Sequence, residues 1–274
     1  MYEQILSPKD SFATNGTKKY FLKSYAKKSF LKTFFCVLIT IVFFSCSKPT
    51  AISGNNPEKE KYKLAKKDSV ADLPLLEFPA TGNSDTMAIV LSGDGGWKTL
   101  VDKLAHYFVS KNIATVGLDT KIDFGNNVTP RAFAKQLDHI CKYYSYKWHK
   151  KHIIFVGFSM GSDVLPFGIN RLPHELKKNI SGIVMIAPCQ NIKFKIRWIN
   201  YIFPYHDGLP ILPQVKKLKK MPLFIICDDN TYSLSLVMKK TKIDYITLSG
   251  GHHFGEQYDM LDKIIGRFLN IEKQ

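Results

Sequence analysis

The chain is poor in the signatures that would make it a metalloprotein, a nucleic-acid binder or a multi-span membrane protein. Its five cysteines show no C-x-x-C spacing, which leaves metal and dithiol redox roles without support. There is no zinc-finger spacing, no RRM motif and no clustered arginine stripe, so no nucleic-acid partner is expected. No G-K-S/T follows the glycine-rich segment 93–96, which argues against a phosphate-binding loop. Internal repeats are absent. The longest apolar run, Phe34–Phe44, falls short of the roughly 20 residues that span a bilayer. No cofactor and no metal are therefore expected.

What is present is basic. The 274 residues carry a formal net charge of +16. Residues 1–46 hold seven Lys against two acidic side chains and supply +5 of it, which leaves about +11 for the rest. Such a surface suits an anionic phospholipid membrane or an acidic partner, unless it only mirrors a lysine-rich proteome. Lys27, Lys28 and Lys32 precede the apolar run, and Ser45-Cys46 follows it. A basic n-region, a short h-region and a small residue before cysteine describe a lipoprotein signal over 1–46, with Cys46 the lipidated residue of the lipobox. An uncleaved signal anchor is the alternative. The expected location is the periplasm, on a lipid anchor. Residues 47–72 are rich in Lys, Glu, Asn, Ser and Pro and read as a flexible tether.

From residue 73 to 274 short apolar runs alternate with longer mixed segments. Strands are expected at Met87–Leu91, Ile113–Leu118, Ile153–Val156, Ile180–Ala187, Leu223–Cys227 and Ile243–Leu248. Between them Trp97–Lys111, Pro130–Trp148 and a closing segment through Ile264–Leu269 have helical spacing. Strands that are apolar throughout and separated by helices imply an α/β domain with a mostly parallel, doubly wound sheet. The stretch 189–220 breaks the rhythm with Pro204, Pro210 and Pro213 and reads as a small cap insertion. Cys189 and Cys227 fall at neighbouring strand ends, where a bridge is compatible with an oxidising periplasm.

The chemistry lies at three strand ends. Ile153–Val156 runs into Gly157-Phe158-Ser159-Met160-Gly161. Strand, G-x-S-x-G, helix is the nucleophile elbow of the α/β-hydrolases. A serine nucleophile needs a base, and the base an orienting acid, in the chain order serine, acid, histidine. Leu223–Cys227 ends in Asp228-Asp229, and the last strand ends in Gly250-Gly251-His252-His253. Open parallel sheets place their sites at such C-terminal strand ends. The candidate catalytic set is Ser159 with His252 or His253 and Asp229 or Asp228. His252 is preferred by analogy with Gly-Gly-His loops of other hydrolases, and Asp229 is preferred to Asp228. The oxyanion hole would combine the N–H of Met160 with that of Asp94, or alternatively Gly95, in Ser92-Gly93-Asp94-Gly95-Gly96-Trp97.

These stretches resemble one family. Leu91–Trp97, Val156–Pro166, Asn170–Pro173, Gly208–Pro213 and Gly250–Phe254 look like the corresponding segments of the bacterial virulence protein family of VirJ and the C-terminal domain of AcvB. The chain departs from the family's expected pattern, a glycine and then acidic residues, by having Cys227-Asp228-Asp229, and this leaves the acid open. The resemblance implies an exported α/β-hydrolase. It also implies one of two roles. One is a serine esterase that cleaves the aminoacyl ester of aminoacyl-phosphatidylglycerol, such as lysyl-phosphatidylglycerol. The other is a non-catalytic periplasmic accessory or chaperone of type IV secretion, which would have secretion-system or periplasmic proteins as partners. A generic lipase or thioesterase remains the third reading, and a monomer is expected. A lysyl headgroup needs carboxylates, and Asp94, Asp119 and Asp163 lie beside the catalytic loops, with Trp97 as a further substrate contact. The residues alone favour the alternative that Asp163 and Asp94 shape loops by accepting from backbone N–H groups.

Overall fold

The computed structural model describes residues 70–126, 128–194, 208–230, 232–239 and 241–272. The expected signal over 1–46 with Cys46, the expected tether up to residue 69, and the middle of the 189–220 insertion lie outside these residues.

Nine strands form among them. They are β1 (Leu75–Phe78), β2 (Thr86–Leu91), β3 (Ala114–Leu118), β4 (His152–Phe158), β5 (Ile180–Ile186), β6 (Asn191–Ile192), β7 (Leu209–Pro210), β8 (Leu223–Cys227) and β9 (Tyr245–Thr247). The helices are α1 (Thr99–Ser110), α2 (Thr120–Asp123), α3 (Pro130–Lys147), α4 (Met160–Asn170), α5 (His174–Lys178), α6 (Leu212–Lys217), α7 (Ser235–Met238) and α8 (Tyr258–Phe268). Seven strands make one sheet in the order β1-β3-β2-β4-β5-β8-β9. Only β1 runs antiparallel, against β3. The chain leaves β2 for β3 on one side and returns to β4 on the other, so the strand order reverses at β2 and β4. Ligand sites form at such a reversal.

Side chains alternate across the pleat, and here both faces are covered. Met87, Ile89 and Leu91 of β2 join Ile153 and Phe155 of β4 in one buried cluster with Phe133, Leu137, Val164 and Leu165 from α3 and α4. Ala88 and Val90 face the other way, with Ile154, Val156, Leu104, Phe108, Leu261 and Ile265 from α1 and α8. That two-sided burial is why the strands read as continuous apolar runs.

Three expectations change. The last strand is shorter than Ile243–Leu248. The insertion is not wholly a cap: Ile211, Val215 and Leu218 are buried at helical spacing in the main core, and Asn170 Nδ2 on α4 donates to the Gln214 carbonyl at 3.0 Å. Cys189 and Cys227 are free thiols. Each has its own partner, Asp163 for Cys189 and Ser233 for Cys227.

Candidate active site

Ser159 follows β4 directly and caps α4 with φ 52° and ψ −122°. A serine held at positive φ stores about 1–3 kcal/mol of strain. The neighbours over-determine the turn. Ser159 N–H donates to Ile186 O at 2.9 Å. Its carbonyl accepts from Asp163 N–H at 3.0 Å and from Ser162 Oγ at 2.7 Å. Both flanking glycines are steric necessities. A Cβ at Gly157 would lie 2.5 Å from backbone of Gly161 and Ser162, and one at Gly161 would lie 2.5 Å from the carbonyl oxygens of Leu91 and Ser92.

The imidazole arrives from the far edge of the sheet. After β9 the chain turns at Gly250, with φ 102°, a conformation that only glycine adopts without strain. His252 then places Nε2 2.8 Å from Ser159 Oγ and Nδ1 2.7 Å from Asp228 Oδ2. A carboxylate accepts only, so Nδ1–H donates to Asp228 and Nε2 is left to accept the serine hydroxyl. Phe158 supports the ring, with centroids 5.3 Å apart. Asp228 is 2% exposed, and its Oδ1 is buried with no hydrogen-bond partner among the described residues.

The preference for Asp229 is therefore corrected: β8 turns Asp228, not Asp229, toward the imidazole. Asp229 Oδ1 instead accepts Gly251 N–H at 2.9 Å, which anchors the histidine loop. His253 does not meet the serine. It is exposed and packs on Phe158 at 5.5 Å. Partial burial, then His252 and Lys98, hold its pKa below the usual histidine value.

The oxyanion candidates sit on two segments beside Ser159. Met160 begins α4. Asp94 and Gly95 form the tip of a turn closed by Gly96 N–H donating to Gly93 O at 3.0 Å. That turn leans on the serine, since a Cβ at Gly93 would be 3.2 Å from Ser159 Cβ. Ser92 and Thr120, not singled out in the sequence, fix its base. Thr120 Oγ1 donates toward the carbonyls of Ser92 and Gly93 at 2.7 and 2.8 Å, and Thr120 N–H donates to Ser92 Oγ at 3.0 Å. No local pattern marks a contact 28 residues long.

The proposed headgroup carboxylates are mostly spent on the backbone. Asp163 is 3% exposed, and its Oδ1 accepts Cys189 N–H at 2.8 Å. Burial, reinforced by Asp94 and Asp228, pushes its pKa well above the carboxylate range. Asp119 caps α2 through Lys121 N–H at 3.0 Å and Ile122 N–H at 3.4 Å, and its Oδ2 takes Trp97 N–H at 3.2 Å. Trp97 is not a substrate wall either. Its ring lies over Gly117 of β3 and stacks on Phe78 at 5.6 Å, and its indole N–H donates to Asp102 at 3.2 Å. Among the described residues no cluster of three or more His, Cys, Asp or Glu could hold a metal.

Residues 85–271 match the family described as bacterial virulence protein (VirJ). The chain belongs to the VirJ family. No curated protein is similar to it in sequence. Among solved structures, MenH from S. aureus is similar at 16% identity and a TM-score of 0.53, over 73% of this chain and 99% of that one. The Pyrococcus furiosus esterase Pf2001 aligns at 15% identity and a TM-score of 0.53, over 82% and 98%. Est1E from Butyrivibrio proteoclasticus, solved with ferulic acid, aligns at 13% and 0.51, over 72% and 94%. At these identities the likeness is one of fold: this VirJ-family chain has the α/β-hydrolase fold.

Proposed function

We propose that this VirJ-family protein is a serine esterase in which Ser159, His252 and Asp228 act as a triad. One observation carries the reading: a single imidazole bridges the serine hydroxyl and a buried carboxylate at 2.8 and 2.7 Å. Ser159 Oγ attacks the ester carbonyl, and its proton passes to His252 Nε2. The imidazolium is stabilised by the Asp228 carboxylate on Nδ1. The oxyanion meets the N–H of Met160, with the dipole of α4 behind it, and an N–H of the Asp94–Gly95 tip. His252 returns the proton to the leaving alcohol. Water, activated by the same imidazole, then releases the acid and restores the serine. The test is labelling by a fluorophosphonate and turnover of p-nitrophenyl butyrate. Wild type should do both and Ser159→Ala neither, and full activity of the mutant defeats the serine mechanism.

For the substrate we propose the aminoacyl ester of an anionic phospholipid, with lysyl-phosphatidylglycerol first. Family membership and the +11 outside residues 1–46 support this, because each basic residue near an anionic bilayer contributes up to about 1 kcal/mol of attraction. Vesicles of lysyl-phosphatidylglycerol should release free lysine with wild type only. No release, with p-nitrophenyl butyrate still turned over, would leave a generic esterase. The lipid anchor is tested by globomycin. The uncut precursor should accumulate, and normal processing of Cys46→Ala would rule the lipobox out.

A further inference from the structure

Asp163 and Asp119 do not reach the mouth of the site as free charges. Cations do. Gly95 and Gly96 of the oxyanion turn carry no side chains, and two lysine side chains lie against them. Lys98 Nζ is 3.3 Å from the point where a side chain on Gly95 would begin, with its Cε at 3.6 Å. At Gly96 the same point lies 3.3 Å from Lys121 Cδ and 3.4 Å from both carboxylate oxygens of Asp119, so Lys121 shares its ground with a carboxylate and Lys98 is the cation that stands apart. Both lysines are exposed. The turn itself abuts Ser159 through Gly93, and Gly93 and Gly95 are at most about 7 Å apart. His253 lies near enough to Lys98, His252 and Glu256 to feel their charges. Asp119 holds three backbone N–H groups. Asp94 sits in the same turn, near enough for its charge to help raise the pKa of Asp163. Neither function demands a lysine lying across the turn.

We infer that Lys98, with Lys121 beside it, forms a subsite for a negatively charged group on the ester substrate, a phosphodiester or a carboxylate held to one side of the scissile carbonyl. The inference rests on the esterase reading and narrows it. An exposed ammonium placed at the oxyanion turn attracts a substrate anion and repels a substrate cation. On an aminoacyl phospholipid it would meet the phosphate, so the amino acid would lie on the other side of the carbonyl.

Two arms test it. The first compares kcat/KM for p-nitrophenyl butyrate with that for the p-nitrophenyl hemiester of succinate, which adds one carboxylate. Lys98→Met should lower the preference for the anionic ester by roughly fivefold, the scale of one partly screened charge pair, and Lys98→Arg should keep it. The second arm needs no turnover. Glycerophosphoglycerol is titrated into Ser159→Ala protein while the His253 ring protons are followed by NMR, with and without Lys98→Met. Perturbation that Lys98→Met weakens supports a phosphodiester subsite. Perturbation absent, with the ester preference lost in Lys98→Met, supports the subsite and assigns it to carboxylates. An unchanged preference together with unchanged or absent binding overturns it. If wild type turns over neither ester, the esterase reading fails and the NMR arm still decides the role of Lys98.

Discussion

Asp228 and Asp229 are adjacent and serve one loop from two directions. Asp228 Oδ2 holds the imidazole of His252 at 2.7 Å, and Asp229 Oδ1 holds Gly251 N–H, one residue earlier, at 2.9 Å. One oxygen sets the ring and the other sets the backbone that carries it.

Their substitutions should therefore separate. Asp228→Asn keeps the shape but presents the wrong hydrogen-bond sense to Nδ1, and kcat on p-nitrophenyl butyrate should fall by about 10³–10⁴-fold. Asp229→Asn keeps an acceptor for Gly251 and should cost less than about tenfold. Equal losses would show that the carboxylate on His252 is misassigned.

A second prediction concerns the turn. Gly161→Ala puts a methyl 2.5 Å from two carbonyl oxygens of the Leu91–Ser92 backbone, which cannot swing away as a side chain would. Thermal or urea unfolding should report a loss of about 1–3 kcal/mol. Fluorophosphonate labelling should slow as well, because the displaced segment leads into the oxyanion turn.

Asp163 should work as a neutral group. Its carboxyl is buried, hydrogen-bonded to Cys189 N–H, and pushed to high pKa. Asp163→Asn keeps the acceptor and should retain most of the activity at neutral pH. Asp163→Leu strands the Cys189 N–H, and burying an unpaired donor costs about 1–3 kcal/mol. An Asn variant as damaged as Leu would mean that the charge itself is required.

Asp123 gives a pH-dependent stability. Burial lifts its pKa to about 6, against a favourable hydrogen bond from Gln136, and its Oδ2 is buried without a partner among the described residues. The folded state then holds this proton when the unfolded state has lost it. Stability falls as pH rises from about 4 to about 6 and stays lower above that. Asp123→Asn should stabilise the protein by about 1–3 kcal/mol at pH 7.5 and by nearly nothing at pH 4. A gain of equal size at both pH values would assign the effect to something other than ionisation.

The central strands were legible because burial on both faces makes each one an unbroken apolar run, as in Ile153–Val156. Strand β1 was not, since Glu77 and Pro74 interrupt its pattern and its place is set by pairing with β3. Ser159 and His252 were legible from glycines whose spacing only a tight turn requires. The choice of Asp228 over Asp229 depends on which way the last residues of β8 face, a property of twist with no local signature. Trp97 looked like a site residue because it adjoins the oxyanion segment in the chain, and Asp119 because it follows the C-terminal end of a core strand. Their contacts, 22 residues apart, turn them toward the scaffold.

The order of the strands has a temporal consequence. Ser159 lies near the middle of the chain, yet the ring that faces it comes from the loop after β9, the final strand, 93 residues later. A nascent chain arrested before residue 250 should carry the serine and resist a fluorophosphonate. On the serine-esterase proposal, docking of that last strand edge is the event that arms the serine, so a chain stopped short of it has nothing with which to attack the esters it passes.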